Sequence, residues 1–168
     1  FGSDAYKTSG GLHGVGISVV NALSSRVTVE VARDRHVWTQ SYARGHATSE
    51  LDHKGATQNR RGTRITFRPD PEIFGERAAF KPIRLYRMAR SKAYLFRGVE
   101  LRWSCAPALL AGQTDIPETE TFHFPRGLED FLSASLAGGE TVTPSAFVGR
   151  ADFGRNGGAV EWALTWRA

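Results

Sequence analysis

The segment Tyr6 to Gly16, YKTSGGLHGVG, places four glycines in eleven residues and runs directly into ISVVNALS. Glycine loses more conformational freedom on folding than any other residue. A cluster of it at a helix entrance is worth ordering where the backbone turns sharply or approaches something closely. Ile17, Val20 and Leu23 recur near helical spacing, with Gly14 and Gly16 at the entry, which predicts a helix from Gly16 to Ser24. Three uses of such a loop compete: a phosphate cradle, a tight structural turn and a nucleophile elbow.

Spacing removes some of them. A Walker A loop requires G-x-x-x-x-G-K-[ST], and no glycine–lysine pair ends such a spacing here. The dinucleotide fingerprint G-x-G-x-x-G lacks both its preceding strand and its third glycine, and a G-x-S-x-G elbow is absent. What is left is G-G-L-H-G-V-G, Gly10 to Gly16, leading into a helix. Unhindered backbone N–H groups ahead of a helix N-terminus form an anion site. A close-packed turn would use the same residues, and the spacing leaves both open.

The remaining sequence reads as α+β. RVTVEVAR (26–33) alternates Val27, Val29 and Val31, the pattern of a half-buried strand. The charged triplet 34–36 turns the chain into a second strand, VWTQSYA (37–43). The polar stretch 45–62 is loop or weak strand, and TRITFRP (63–69) alternates again. Residues 80–96 form the best long helix. A strand at 99–104, a loop at 106–117, a strand at 120–124, a helix at 127–136 and strands near 146–149 and 159–166 follow. Hairpins mixed with helices predict a helix layer on a largely antiparallel or mixed sheet. A domain boundary is expected in the loop 106–118, giving domains 1–118 and 119–168.

Composition bounds the function. The 168 residues suffice for one domain or parts of two. No apolar run approaches the ~20 residues that span a bilayer, so no membrane partner is expected. The first ten residues, FGSDAYKTSG, have neither the basic start nor the apolar stretch of a secretory leader. The lone Cys105 excludes an internal disulfide framework and fits a reducing, cytoplasmic setting, where a buried inert thiol is expected. A net charge of +5 permits an anionic partner, but the arginines are scattered rather than gathered in a tail. Both ends read as cut, so a piece of a longer protein is expected.

YKTSGGLHGVGISVVNALS resembles the signature of the ATPase region of bacterial type IIA topoisomerases. These are relatives of Hsp90, the histidine kinases and the MutL proteins. RRGTRITFRPD is similar to the family's glycine–threonine strand, FPRGLEDFL to the start of its second domain, and AFVGRADFGRNGGAVEWALTW to that domain's early strands. The forms GISVVNALS, RGVELRW and AVEWALTW lean towards the topoisomerase IV branch over gyrase. The resemblance implies part of a Bergerat-type ATPase sandwich, helices on a mixed sheet, followed by the start of a transducer domain.

It also implies a site. Gly11, Leu12, His13, Gly14, Val15, Gly16 and Ile17 would offer backbone amides to the phosphates of ATP and cap them with the following helix. Tyr6 would lie along the adenine side, and Thr63 beneath the purine. Lys7 would be a nearby cation or simply solvated, and His13 a structural or ligand-shaping residue. Arg33 falls where the family lines the mouth of the nucleotide pocket, or on plain surface. Arg84, Arg87 and Arg90 recur every three residues on the long helix, as a solvated face or a DNA contact. The family's water-activating glutamate, its Mg2+-holding asparagine and its adenine-reading aspartate would lie before Phe1. Its γ-phosphate lysine would follow Ala168, so no catalytic or metal-ligating residue is expected within the chain. Implied partners are DNA, a second copy of the same subunit in an ATP-dependent clamp, and the breakage–reunion A subunit, in a bacterial, chromosome-associated, cytoplasmic protein. The alternatives are a gyrase B protein, a MutL-like or chaperone ATPase, and a non-catalytic module that binds nucleotide, DNA or protein.

Overall fold

The computed structural model describes residues 14–113, 115–154 and 158–168. The chain divides into two compact units, Phe1–Ala79 and Phe80–Ala168.

In the first unit, helix α1 (Gly16–Ala22) leads into β1 (Ser24–Arg33), β2 (His36–Ala43), β3 (His46–Ala47), β4 (Asp52–Ala56) and β5 (Gly62–Pro69), and a short helix, α2 (Pro71–Phe74), follows. The sheet runs β3-β2-β1-β5, with β4 also paired to β2. Alternation in the sequence sets its two faces. In register, Val27, Val29 and Val31 of β1 stand opposite Phe67, Ile65 and Thr63 of β5, so all six share one face. The opposite face carries Thr28 and Glu30 beside Thr66 and Arg64. Val27 is buried, whereas Ile65 and Phe67 stay about two-fifths exposed.

A buried carboxylate closes this unit. Asp70 follows β5 and is 1% exposed. It accepts hydrogen bonds from Arg44 Nε at 2.6 Å, Arg44 Nη2 at 3.3 Å and the Glu72 N–H at 3.1 Å, the last capping α2. Its own N–H donates to the Leu23 carbonyl at 3.0 Å, while Arg44 and Gly45 donate backbone N–H groups to Ser24 and Asn21. The Arg44–Asp70 pair and the backbone bonds around it thereby tie the end of α1, the start of β1, the β2–β3 turn and the end of β5.

The second unit holds α3 (Pro82–Leu95), β6 (Glu100–Ser104), β7 (Thr119–His123), α4 (Leu128–Leu136), β8 (Phe147–Asp152) and β9 (Ala159–Leu164). Its core gathers Tyr86 and Ala93 of α3 with Leu110, Ile116 and Phe122, and Cys105 packs against it as a free, half-buried thiol. Tyr94 stacks on Phe124 with ring centroids 3.7 Å apart. The Tyr86 hydroxyl donates to Glu120, and that bond, with burial, raises the phenol's pKa above its ordinary value.

The α+β expectation holds, with helices and sheet in each unit. Every strand pair among the described residues is antiparallel. The polar stretch 45–62 contains two short strands, β3 and β4, held by pairing to β2 rather than by an apolar pattern of their own. Compact units divide at Ala79/Phe80, before the boundary expected at 118/119, and β6 pairs with β7 across the latter. Among the described residues no helix is long and apolar enough to cross a membrane.

The Arg44 guanidinium beside Asp70, with the Glu72 N–H, holds its carboxyl below the ordinary value of 3.8. A depressed folded-state pKa contributes stability above the unfolded value, and that contribution is lost as pH falls through the folded one. Asp70→Asn should therefore lower the urea midpoint at pH 7, with the gap to the parent closing as pH falls below 3.8. A gap that stayed constant down to about pH 2 would show the charge to be irrelevant.

Candidate functional site

Helix α1 opens without the usual protections. Its N-cap is Val15, which has no side-chain oxygen to offer, and no acidic residue stands in the first turn. The residue before it, Gly14, has φ 76°, a torsion that side-chain-bearing residues adopt at a cost. Gly16 differs. A Cβ built there meets nothing within 4 Å, and its φ is not positive. The backbone thus explains glycine at 14, whereas at 16 the described residues leave room for a side chain. That room lies where uncapped amides open the helix, an arrangement suited to an anion.

Ile17, next in the helix, lines a cavity of about 350 Å³ with Asn21, Val27, Val29, Tyr42 and Ile65. Its walls are mainly apolar. Three polar side chains, Ser18, Asn21 and Tyr42, break the pattern, and Asn21 Oδ1 is buried and has no hydrogen-bond partner among the described residues. An orphaned acceptor of this kind costs about 1–3 kcal/mol unless a ligand or water donor meets it. The cavity therefore has the composition of a site for a flat, largely apolar group bearing an N–H donor.

Thr63 lies two residues along β5 from Ile65 on the same sheet face, opposite Val31. It lines a second, larger cavity of about 620 Å³ with Val31, Arg33, Arg35, Arg60 and Arg61. Val29 and Ile65 border the first cavity, Val31 and Thr63 the second, so the two are neighbours along one face. Arg33 is largely exposed and pairs with Asp34 at 3.4 Å.

The structure thus brings Ile17 to the floor formed by β1 and β5, and places Gly14, Val15 and Gly16 at the open end of α1. Thr63 borders the arginine cavity instead. Tyr6, Lys7, Gly11, Leu12 and His13 lie outside the described residues. Arg84, Arg87 and Arg90 are exposed on α3, and Arg90 stands one turn from both Tyr86 and Tyr94 and donates to the Tyr94 hydroxyl at 3.5 Å. No cluster of three or more His, Cys, Asp or Glu positioned for a metal occurs among the described residues. Asn21 and the cluster Arg35, Arg60 and Arg61 carry site chemistry that sequence reasoning missed. A polar residue on the apolar stripe of a short helix was the available signal for Asn21.

No family model matches the chain. It is 53% identical over 166 residues to the B subunit of DNA topoisomerase 4 from Bartonella bacilliformis, covering 99% of this chain and 24% of that protein. It is 54% identical over 166 residues to the corresponding protein of Caulobacter vibrioides, again covering 99% of this chain and 24% of that protein. The chain belongs to the B-subunit family of bacterial type IIA DNA topoisomerases. It spans about a quarter of the length of these relatives. The 43K ATPase domain of Thermus thermophilus gyrase B, solved with an aminocoumarin, superposes with a TM-score of 0.71. That structure is 34% identical, the match covering 84% of this chain and 37% of that one. The α+β fold is thus that of the Bergerat-type ATPases, and both sequence relatives stand on the topoisomerase IV side of this type IIA topoisomerase family.

The two glycines give a prediction about the fold alone. Gly16→Ala should leave the urea midpoint unchanged or raise stability by about 0.4–1 kcal/mol, since it restricts the unfolded chain and meets open space. Gly14→Ala should lower stability by about 1–2 kcal/mol through its positive φ. Equal losses in both would mean that Gly16 is closely packed after all.

Proposed function

We propose that this chain forms part of the ATP site of a type II topoisomerase subunit that couples ATP hydrolysis to the passage of one DNA duplex through another. The observation that carries the reading is the uncapped start of α1 beside unfilled space at Gly16, directly above an apolar cavity with an unmet acceptor. In this reading the amides from Gly11 to Ile17 meet the phosphates, and Ile17 and Ile65 flank the purine. Asn21 accepts from an N–H donor in the cavity, Thr63 approaches the purine from the neighbouring cavity one step along β5, and Tyr6 covers the adenine side.

Each of these groups binds and orients. The helix dipole and amides favour the negative charge of the phosphates, and the apolar floor keeps water from the ring. Bound ATP supplies the γ-phosphoryl group whose hydrolysis drives the cycle. The residues present fit the nucleotide. The Mg2+ ligand and the general base are assigned, in this reading, to the helix before Phe1. Residues 1–118 would belong to the ATPase domain and 119–168 would begin the transducer, a division of role rather than of compactness, since β7 pairs with β6 across it. A second copy would close the clamp, the A subunit would cut and rejoin DNA, and the protein would work in the cytoplasm on the chromosome.

Isothermal titration with a non-hydrolysable ATP analogue tests the proposal. Gly16→Val should weaken binding at least tenfold, through loss of one or two charge-assisted hydrogen bonds to phosphate, while circular dichroism stays that of the parent. Equal affinity for parent and variant would make the glycine loop a packing turn.

A further inference from the structure

Strand β4 pairs with β2 through an irregularity. His36 stands opposite Ala56 and Val37 opposite Gly55, but Trp38 is then opposite His53 and Thr39 opposite Asp52, which leaves Lys54 as the extra residue of a bulge. An unbroken ladder would have set Trp38 against Lys54 and Thr39 against His53. Side chains alternate between the faces of a strand, so that ladder would have turned His53 away from His36. The bulge instead puts His36, Trp38 and His53 on one face of the strand pair.

Two ring nitrogens meet there. His36 Nδ1 lies 2.8 Å from His53 Nε2, and both residues are exposed. The indole of Trp38 lies against the His53 ring, with centroids 4.5 Å apart and planes tilted by 31°, which limits the turning of that ring. Lys54 pairs with Asp52 at 2.5 Å, and Arg33, opposite His36 on β1, pairs with Asp34, so each of these cations has its own counter-charge. Arg35, beside His36, is exposed, where solvent and salt screen it.

Distance decides what such a pair can hold. Imidazole nitrogens bind a divalent transition metal at about 2.0–2.1 Å, so two of them at a right angle stand about 2.9 Å apart, and at a tetrahedral angle about 3.3 Å. The observed 2.8 Å matches the right angle. Tetragonal sites of nitrogen and oxygen suit Cu2+ and Ni2+, whereas Zn2+ takes the tetrahedron.

We propose that His36 and His53 chelate a Cu2+ or Ni2+ ion, with water in the remaining positions. The ion joins β4 to β2 at the bulge. In the metal-free protein one ring donates its N–H to the other. On binding, the donor ring carries that proton on its outward nitrogen instead, so two neutral imidazoles face the ion and no proton is lost overall. Mg2+ takes oxygen ligands, so this ion is distinct from the one that accompanies a bound nucleotide.

Isothermal titration of the full chain with NiCl2, and electron paramagnetic resonance of its Cu2+ complex, test the site. One equivalent of Ni2+ should bind, and His36→Gln or His53→Gln should each weaken it at least tenfold, since disturbing even a residue that only supports a ligand costs about that much. His46→Gln combined with His123→Gln removes two histidines elsewhere and should leave the affinity unchanged. The Cu2+ spectrum should show two equatorial imidazole nitrogens in the parent and one in either single variant, a change that a merely structural role for these rings would not produce. A parent that binds no Ni2+ overturns the site. So do His36 and His53 variants that bind as tightly as the parent, an equal loss in the His46 and His123 variant, or a Cu2+ spectrum that is the same in parent and single variants.

Discussion

The ion pair of Arg44 and Asp70 is the constraint on which the first unit depends. A carboxylate this enclosed is tolerable only if its charge is met at short range and its lone pairs are occupied. Arg44 and the α2 amide meet both conditions, and in doing so they join the β2–β3 turn to the end of β5 and the start of α2. Because the Asp70 N–H holds the Leu23 carbonyl, the end of α1 is anchored to the same residue whose carboxylate is fixed by Arg44. The position of α1 over β1 and β5, and so of the apolar cavity beneath it, follows from that closure.

The sheet then acts as a ruler. Strand register places Val29 with Ile65, and Val31 with Thr63, at successive steps along one face. An apolar cavity under α1 and a cationic one at the hairpin end result from the same alternation, differing only in what the adjoining loops contribute. A nucleotide combines an apolar base with an anionic tail, and DNA presents anionic phosphates on its outside. A sheet face that grades from apolar to basic over two residue pairs is chemically suited to either.

Much of this was legible in the sequence. The alternating valines gave β1, the TRITFRP pattern gave β5, and the helical spacing after Gly16 gave α1, because in each the local periodicity matches the element that forms. The segment 45–62 was not legible in the same way. β4 contains Asp52, His53 and Lys54 and is a strand because β2 offers it an edge, a nonlocal cause that periodicity cannot report. Helix α2 was missed although Asp70-Pro71 carries its signal, a capping carboxylate before a proline at the first helical position. The arginine cavity was invisible for a topological reason. Arg33 and Arg35 meet Arg60 and Arg61 only after two strands have folded back. The site assignments for Thr63 and the glycine loop came from resemblance, with spacing alone leaving the loop undecided.

The open space at Gly16 has a consequence for anyone redesigning this domain. Stability-guided substitution favours replacing helical glycines that have room for a side chain, so Gly16 would be among the first positions chosen. On the proposed reading of the helix start, the result would be a sturdier protein with its phosphate contacts obstructed, a gain in one assay concealing a loss in another. An inverse-folding score that sees only the protein's own atoms has no term for what the vacancy admits. At this position, thermodynamic fitness of the isolated chain and fitness for ligand point in opposite directions.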